Sequence, residues 1–274
     1  MIAVAAEDFA KSLLLAGAGK MGGAMLRAWL DQGYDPRRIS VIEPYPPAEL
    51  LALAGATGFS LRPPQEPQEI LVLAMKPQNL DAASSLGGVI GPHTLVISIL
   101  AGKTIANIAA RLPHAKAVIR AMPNLAVEVG RGITGLAAND AVTPAQKNLA
   151  ETLLSAVGRA EWLPAEHMID AVTAVSGNGP AYAFYLAECL AAAGSALGLP
   201  PDIAGRLARA TLEGAGELLY RRPRQTPAEL RASVTSPGGT TAAALGVLMA
   251  PDGLEPLMLR ALAASKERAE QLSG

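Results

Sequence analysis

The pattern of apolar and polar positions divides the chain into two parts. From Ser12 to about Pro164, short β-like apolar runs alternate with segments of helical period. The runs are SLLLAG, ISVIE, EILVLAM, TLVISI, KAVIRAMP, GITGLAA and RAEWLP. This alternation is typical of an open α/β sheet that is largely parallel at its start.

After about Glu166 the β pattern stops, and the rest of the chain reads as helices. Pro and Gly signals separate these helices at GLPP, RPRQTP, SPGG and PDG. We therefore predict an α/β domain over residues 1–165, followed without a long linker by an all-α domain over residues 166–274.

The most apolar segment of the chain covers residues 171–200. Gly177, Gly179 and Pro180 interrupt it and Glu188 lies within the remainder, which argues against a membrane-spanning helix. The alternative is a buried helix, either in the core of a monomer or in an interface between subunits. We expect no membrane partner.

Composition and charge narrow the class of protein. Half of the 274 residues are apolar. The formal net charge is −1, so the chain lacks the excess of positive charge that is typical of proteins that bind nucleic acid. The single cysteine, Cys189, cannot form an internal disulfide, and no Cys/His cluster suggests a metal site. The start, MIAVAAEDFAKS, lacks the basic and apolar regions of a signal peptide. We expect a cytoplasmic protein with a small-molecule partner and no metal.

The run LLLAGAGKMGGAML contains a GxGxxG spacing directly after an apolar strand and at the opening of a helix. In such a turn Gly17 makes the tight bend, Gly19 lets the backbone approach a pyrophosphate, and Gly22 permits close helix packing. This context predicts a Rossmann-type dinucleotide-binding domain. The candidate cofactor-binding residues of the turn are Gly17, Ala18, Gly19, Lys20, Met21 and Gly22.

Glu43 ends the second apolar run, ISVIE. An acidic side chain about 20 residues beyond the glycine turn accepts from the ribose 2′-OH of NAD and repels the 2′-phosphate of NADP. The alternative is a solvated carboxylate at a strand end. No arginine follows at once, so no clamp for a 2′-phosphate is visible.

Two further strand ends carry candidate cofactor contacts, because the carboxyl ends of the strands in such a sheet face the ligand crevice. The segment LAMKPQNL places Ala74, Met75, Lys76 and Pro77 there, although Lys76 could equally be a surface lysine. The segment RAMPN places Asn124 there, where its amide could orient a nicotinamide or simply form a turn.

In the stretch TSPGGTTAAALG, residues 235–246, a cluster of hydroxyl residues and two glycines directly precedes an alanine-rich segment of helical character. It contains no His, Lys, Asp, Glu or Cys. Free N–H groups and the macrodipole at a helix start favour an anion. The alternative is plain helix capping by Ser or Thr.

These segments together resemble one family, the pyrroline-5-carboxylate reductases of proline biosynthesis. The resemblance runs in order through AGAGKMGGAM, LAMKPQ, RAMPN, VSGNGPAYAFYLAECL followed by GLP, and ELRASVTSPGGTTAAALGVL. The last segment is far more specific than the glycine turn.

The resemblance implies hydride transfer from NADPH or NADH to the C=N carbon of 1-pyrroline-5-carboxylate, which yields L-proline. It also implies that Thr241 is the catalytic residue, because the family's threonine at this place hydrogen-bonds the substrate nitrogen. The implied substrate-binding residues are Ser236, Gly238, Gly239, Thr240 and Thr241. The helical domains of two subunits would interlock in a homodimer, with a decamer-type assembly of dimers left open.

Four features depart from the family's pattern. Asn178 replaces a serine, and Met249 stands where an acidic, amide or lysine residue is expected. The segment SLRPPQEPQE lacks the asparagine with which many members meet the adenosine, and Glu43 departs from members that prefer NADPH.

Two other functions stay open. A related imine or β-hydroxyacid dehydrogenase would carry a lysine on the first helix after the Rossmann domain, yet residues 171–195 contain neither Lys nor Arg. A non-catalytic dinucleotide-binding regulatory protein could use the same fold. Such a protein would not need a second anion site such as TSPGGTT.

Overall fold

The computed structural model describes residues 10–273, and its first part is a seven-stranded sheet. The strands are β1 Leu13–Ala16, β2 Ile39–Ile42, β3 Gln68–Leu73, β4 Ile90–Ser98, β5 Ala117–Met122, β6 Gly132–Ala138 and β7 Gly158–Trp162. Their order across the sheet is β2-β1-β3-β4-β5-β6-β7. All neighbouring pairs are parallel except β5 and β6, which are antiparallel. The predicted open α/β sheet, parallel at its start, is confirmed.

Helices connect the strands and then form the rest of the chain. They are α1 Lys20–Asp31, α2 Ala48–Thr57, α3 Ile105–Arg111, α4 Pro144–Ser155, α5 Ile169–Val172, α6 Gly179–Ala196, α7 Pro201–Arg221, α8 Pro227–Ser233, α9 Thr240–Leu248 and α10 Leu254–Ser273. Short 3₁₀ segments lie at Pro36–Arg38, Pro77–Val89, Leu125–Val129 and Glu166–Met168, and a π-helical turn covers Thr173–Gly177. The helical nature of the chain after β7 is confirmed.

Alternating side chains of the central strands build two apolar layers. Leu13 and Leu15 of β1 join one buried cluster, which includes Trp29 of α1 and Leu153 of α4. Leu14 joins the cluster on the opposite face of the sheet, beside the 3₁₀ segment Pro77–Val89 and α3. The Trp29 indole N–H donates to the Leu153 carbonyl at 2.8 Å, which fixes α1 against α4. Burial on both faces explains why these strands are continuously apolar.

The chain forms two compact units. The first comprises the described residues up to Gly177 together with the end of α10 from Lys266, and the second comprises residues 178–265. The predicted domain boundary at 165/166 lies between β7 and α5, and it stays a prediction.

In the second unit, α6 and α7 pack against each other. A Cβ on Gly194 would stand 3.3 Å from Leu199 Cδ1, so the glycine allows a close approach where the two helices meet. Helix α6 has no buried residue, and Phe184 and Tyr185 are 59% and 66% exposed. Within one chain, α6 is therefore not buried in a core, whereas Ala174, earlier in the same apolar segment, is. Among the described helices, none has the length and apolar character needed to cross a membrane.

Candidate functional site

The glycine turn between β1 and α1 packs tightly against the end of β3. Gly17 has a φ of +99°, and a Cβ there would stand 2.5 Å from the Met75 nitrogen. Its N–H donates to the Ile42 carbonyl at the end of β2. Only glycine combines this backbone conformation with so little space. The turn thus brings Ala74 and Met75 beside Gly17, as expected of neighbouring strand ends.

The other two glycines of the motif have different surroundings. A Cβ on Gly22 would lie 2.2 Å from the Gly17 carbonyl oxygen, so Gly22 lets α1 pack on the turn. A Cβ on Gly19 would meet no atom within 4 Å. Gly19 is also the N-cap of α1, with no side-chain cap. The space beside Gly19 and the free amides of the helix start fit the pyrophosphate of a dinucleotide.

Glu43 lies against the same turn. Its Oε2 accepts a hydrogen bond from the Ala18 N–H at 3.0 Å, and its Oε1 accepts from the Tyr45 N–H at 3.4 Å. Two backbone donors thus orient this strand-end carboxylate at the mouth of the glycine turn, and its contact with a ribose stays a prediction.

The remaining cofactor candidates occupy the ends of β3 and β5. Ala74 donates its N–H to the Ala16 carbonyl at 2.8 Å, while Lys76 is exposed and makes no ion pair within the described part of the chain. Pro77 begins the 3₁₀ segment that follows. Asn124 precedes another 3₁₀ segment, and its Oδ1 accepts from the Ile133 N–H at 3.3 Å. Asn124 thus connects the end of β5 to β6, which agrees with its interpretation as a turn residue.

A cavity of about 230 Å³ lies beside the glycine turn, between α1 and α2. It contains residues that the sequence reasoning missed, including Arg27, Glu49 and Leu50. Helical spacing could have identified Arg27, since it lies seven positions beyond Lys20 on the same helix face. Lys20 also lines this cavity. The cavity therefore mixes two cations with one carboxylate.

The TSPGGTT segment forms a tight turn into α9 in the second unit. Gly238 has a φ of +70°, and a Cβ on Gly239 would stand 2.4 Å from Ser236 Oγ. The Gly239 N–H donates to the Ser236 carbonyl at 3.0 Å. Both glycines are thus required by the turn itself.

Helix α9 begins without a side-chain cap. Its N-cap is Gly239, so Thr240 and Thr241 occupy the first two helical positions. The alternative that Thr241 caps the helix is wrong for this reason. The first amides of α9 have no intrahelical partner and are suited to bind an anion. The Thr241 hydroxyl is not used as a cap.

The five substrate candidates all lie in this turn and helix start of the second unit, and the cofactor candidates all lie in the first unit. The two departures within the second unit lie elsewhere. Asn178 donates through Nδ2 to Ser265 Oγ at 2.8 Å, and exposed Met249 ends α9.

Two family matches cover the part of the chain with most of the cofactor candidates and the part with the substrate candidates, respectively. Residues 13–102 match the NADP oxidoreductase, coenzyme F420-dependent family. Residues 166–272 match the pyrroline-5-carboxylate reductase dimerisation family. The first range contains the glycine turn and the second contains the TSPGGTT turn.

Curated relatives and a solved structure agree over almost the whole chain. The pyrroline-5-carboxylate reductase of Pasteurella multocida is 36% identical, over 96% of this chain and 98% of its own. That of Synechocystis is 41% identical, over 93% and 96%. The structure of a pyrroline-5-carboxylate reductase from Coxiella burnetii matches with a TM-score of 0.88 and 34% identity, over 97% of this chain and 99% of that chain. The chain therefore belongs to the pyrroline-5-carboxylate reductase family.

Proposed function

We propose that this protein reduces 1-pyrroline-5-carboxylate to L-proline by hydride transfer from NADPH or NADH. The observation that carries the proposal is the TSPGGTT turn, where a helix start without a side-chain cap offers backbone amides next to the Thr241 hydroxyl, which does not cap the helix. A glycine turn that fits a dinucleotide supplies the second requirement of the reaction.

The first unit holds the cofactor. Gly17, Ala18, Gly19 and the start of α1, including Lys20, Met21 and Gly22, receive the pyrophosphate. When bound, the reduced nicotinamide supplies the hydride. The remaining contacts come from Glu43 at the ribose and from Ala74, Met75, Lys76, Pro77 and Asn124 at the strand ends.

The second unit holds the substrate. The amides of Gly238, Thr240 and Thr241 bind its carboxylate, and the Ser236 hydroxyl adds a donor. The Gly239 N–H, which the sequence also placed in this set, donates instead to the Ser236 carbonyl, so Gly239 shapes the turn around the carboxylate. The negative charge is favoured there because the helix dipole is positive at the start of α9. The Thr241 hydroxyl hydrogen-bonds the ring nitrogen and orients the C=N bond.

This chemistry needs no acidic or basic side chain at the reacting carbon. A protonated cyclic imine is already electrophilic, so fixing the hydride donor and acceptor provides much of the acceleration. A dehydrogenase of β-hydroxyacids must instead handle the proton of an alcohol, and residues 171–195 carry no Lys or Arg for that step. The same segment therefore favours imine reduction.

The helical unit also forms the contact between subunits. Helices α6, α8 and α9 bury no residue within one chain, and Phe184, Tyr185 and Leu190 are exposed. Apolar exposure on this scale is typical of a permanent interface. We expect a homodimer that works in the cytoplasm, and a decamer-type assembly of dimers would extend it.

The test follows oxidation of NADPH and of NADH, separately, on addition of pyrroline-5-carboxylate. We expect turnover with at least one of them and formation of proline. A protein that binds a dinucleotide but oxidises neither would instead be the non-catalytic regulatory protein.

A further inference from the structure

The turn between β2 and α2 carries features that bear on the choice between NADH and NADPH, and the inference from them rests on the proposed function. In a Rossmann-type domain the residues after the second strand lie beside the adenosine ribose, where the 2′-substituent distinguishes NADP from NAD. Here the turn reads Glu43-Pro44-Tyr45-Pro46-Pro47.

The Glu43 carboxylate is fixed before any ligand arrives. The Ala18 N–H donates to Oε2 at 3.0 Å, and the Tyr45 N–H donates to Oε1 at 3.4 Å. Each carboxylate oxygen keeps a further acceptor position, which a ribose hydroxyl can use. Such an oriented carboxylate suits a 2′-OH and opposes a 2′-phosphate.

The same turn offers a phosphate no backbone donor. Three of the four residues after Glu43 are prolines, which have no N–H. The fourth, Tyr45, already donates its N–H to Glu43. A phosphate bound beside residues 44–47 would therefore find each backbone N–H either missing or occupied.

The turn and the helix after it also offer a phosphate no positive charge. The sequence from Pro44 to Leu61 contains no Lys, Arg or His. The first turn of α2 carries Glu49, which adds a second negative charge where an anion would otherwise be favoured. The neighbouring cations, Lys20 and Arg27, lie on α1 and share their cavity with Glu49.

We infer that the protein selects NADH over NADPH, through the oriented Glu43 carboxylate and a β2–α2 turn whose residues 44–47 offer neither a free amide nor a cation to a 2′-phosphate. The selection acts on binding, so it can be measured in the absence of pyrroline-5-carboxylate.

The test measures the dissociation constants of NADH and NADPH by the fluorescence of the bound reduced dinucleotide. We expect the wild-type protein to bind NADH about tenfold or more tightly than NADPH, which corresponds to about 1.4 kcal/mol. In Glu43→Gln, which keeps an acceptor oxygen for the Ala18 N–H, the ratio should fall about tenfold. Asp140→Asn removes a charge from an exposed loop elsewhere in the first unit and should leave the ratio unchanged.

A second variant keeps the inference testable if Glu43→Gln does not fold. Pro44→Arg adds a cation and an N–H at an exposed position of the turn and should shift the ratio towards NADPH. Equal or tighter binding of NADPH by the wild-type protein would overturn the inference, as would an unchanged ratio in both variants. Neither result depends on turnover, whereas selective NADH binding without reduction of pyrroline-5-carboxylate would overturn only the proposed reaction.

Discussion

The guanidinium of Arg120 forms an ion pair with the carboxylate of Asp170, with Nη2 and Oδ1 separated by 3.1 Å and both side chains buried. Arg120 belongs to β5 and Asp170 to α5. A second carboxylate, that of Glu166, lies 3.4 Å from Arg120 Nη1 and also accepts from the Ile105 N–H at the start of α3. This arrangement connects β5, α3, α5 and the 3₁₀ segment Glu166–Met168 within the first unit.

Arg120→Met should strongly destabilise the first unit. The substitution leaves the Asp170 carboxylate buried without its cation, and breaking such a pair decreases the free energy of unfolding by about 3–5 kcal/mol. Urea denaturation measures the change. Arg206→Met is the matched control, because its pair with Asp202 is exposed and should contribute less than about 1 kcal/mol. Equal effects of the two substitutions would contradict the structural role of Arg120.

Gly17→Ala and Gly19→Ala should impair different properties, the first the stability of the protein and the second its affinity for the dinucleotide. A methyl group at Gly17 would collide with the Met75 nitrogen and disfavour the observed φ, so this variant should lose thermal stability. A methyl group at Gly19 meets no protein atom, so that variant should fold normally but bind the dinucleotide at least about tenfold more weakly.

The control for the glycine pair is Gly55→Ala, within α2, where the added methyl group also meets no atom. We expect it to stabilise the protein by up to about 1 kcal/mol through helix propensity, with no change in dinucleotide affinity. Normal cofactor binding by Gly19→Ala would show that the pyrophosphate lies elsewhere.

Thr241→Ala should reduce turnover about tenfold or more, because the substrate nitrogen loses a hydrogen bond. The melting temperature should stay close to that of the wild-type protein, since Gly239 and not Thr241 caps α9. Thr211→Ala removes an exposed hydroxyl from α7 and should leave turnover unchanged. Steady-state kinetics and thermal denaturation measure the two effects, and full activity in Thr241→Ala would remove this residue from the mechanism.

Phe184→Asp should dissociate the homodimer that we propose. The ring is 59% exposed within one chain, and a carboxylate buried in an apolar interface between subunits would be desolvated without a partner. Light scattering after size-exclusion chromatography measures the mass. Asp202→Asn, at an exposed polar position of α7, is the control, and an unchanged dimer in Phe184→Asp would place the interface on another surface.

The strands were predictable because strands that are buried on both faces appear in the sequence as continuous apolar runs. Leu13 to Ala16 are buried on both faces of the sheet, and such runs can be recognised without tertiary information. The glycine motif was predictable for a similar reason, since both Gly17 and Gly22 stand where a Cβ would collide with the backbone. The start of α4 also has a local sequence signal, since Thr143 and Gln146 form a capping box.

The contacts that the sequence did not predict join distant positions. Arg120 reads as one polar residue in an apolar strand, and its partners Glu166 and Asp170 follow 46 and 50 positions later. The hydrogen bond from Ala18 to Glu43 depends on the parallel pairing of β1 with β2. Local periodicity contains no information about such partners, because the fold alone decides which side chains meet.

The end of α10 has a consequence for how the protein is made. Ser273 Oγ lies 3.4 Å from Arg120 Nη2, and a Cβ on Gly102 would stand 3.1 Å from Leu272 Cβ. The end of α10 therefore packs in the same unit as β1, at the opposite end of the described sequence. Residues 178–265 lie between β1 and the end of α10 in the sequence, so the first unit can reach this packing only after the whole helical unit has been synthesised.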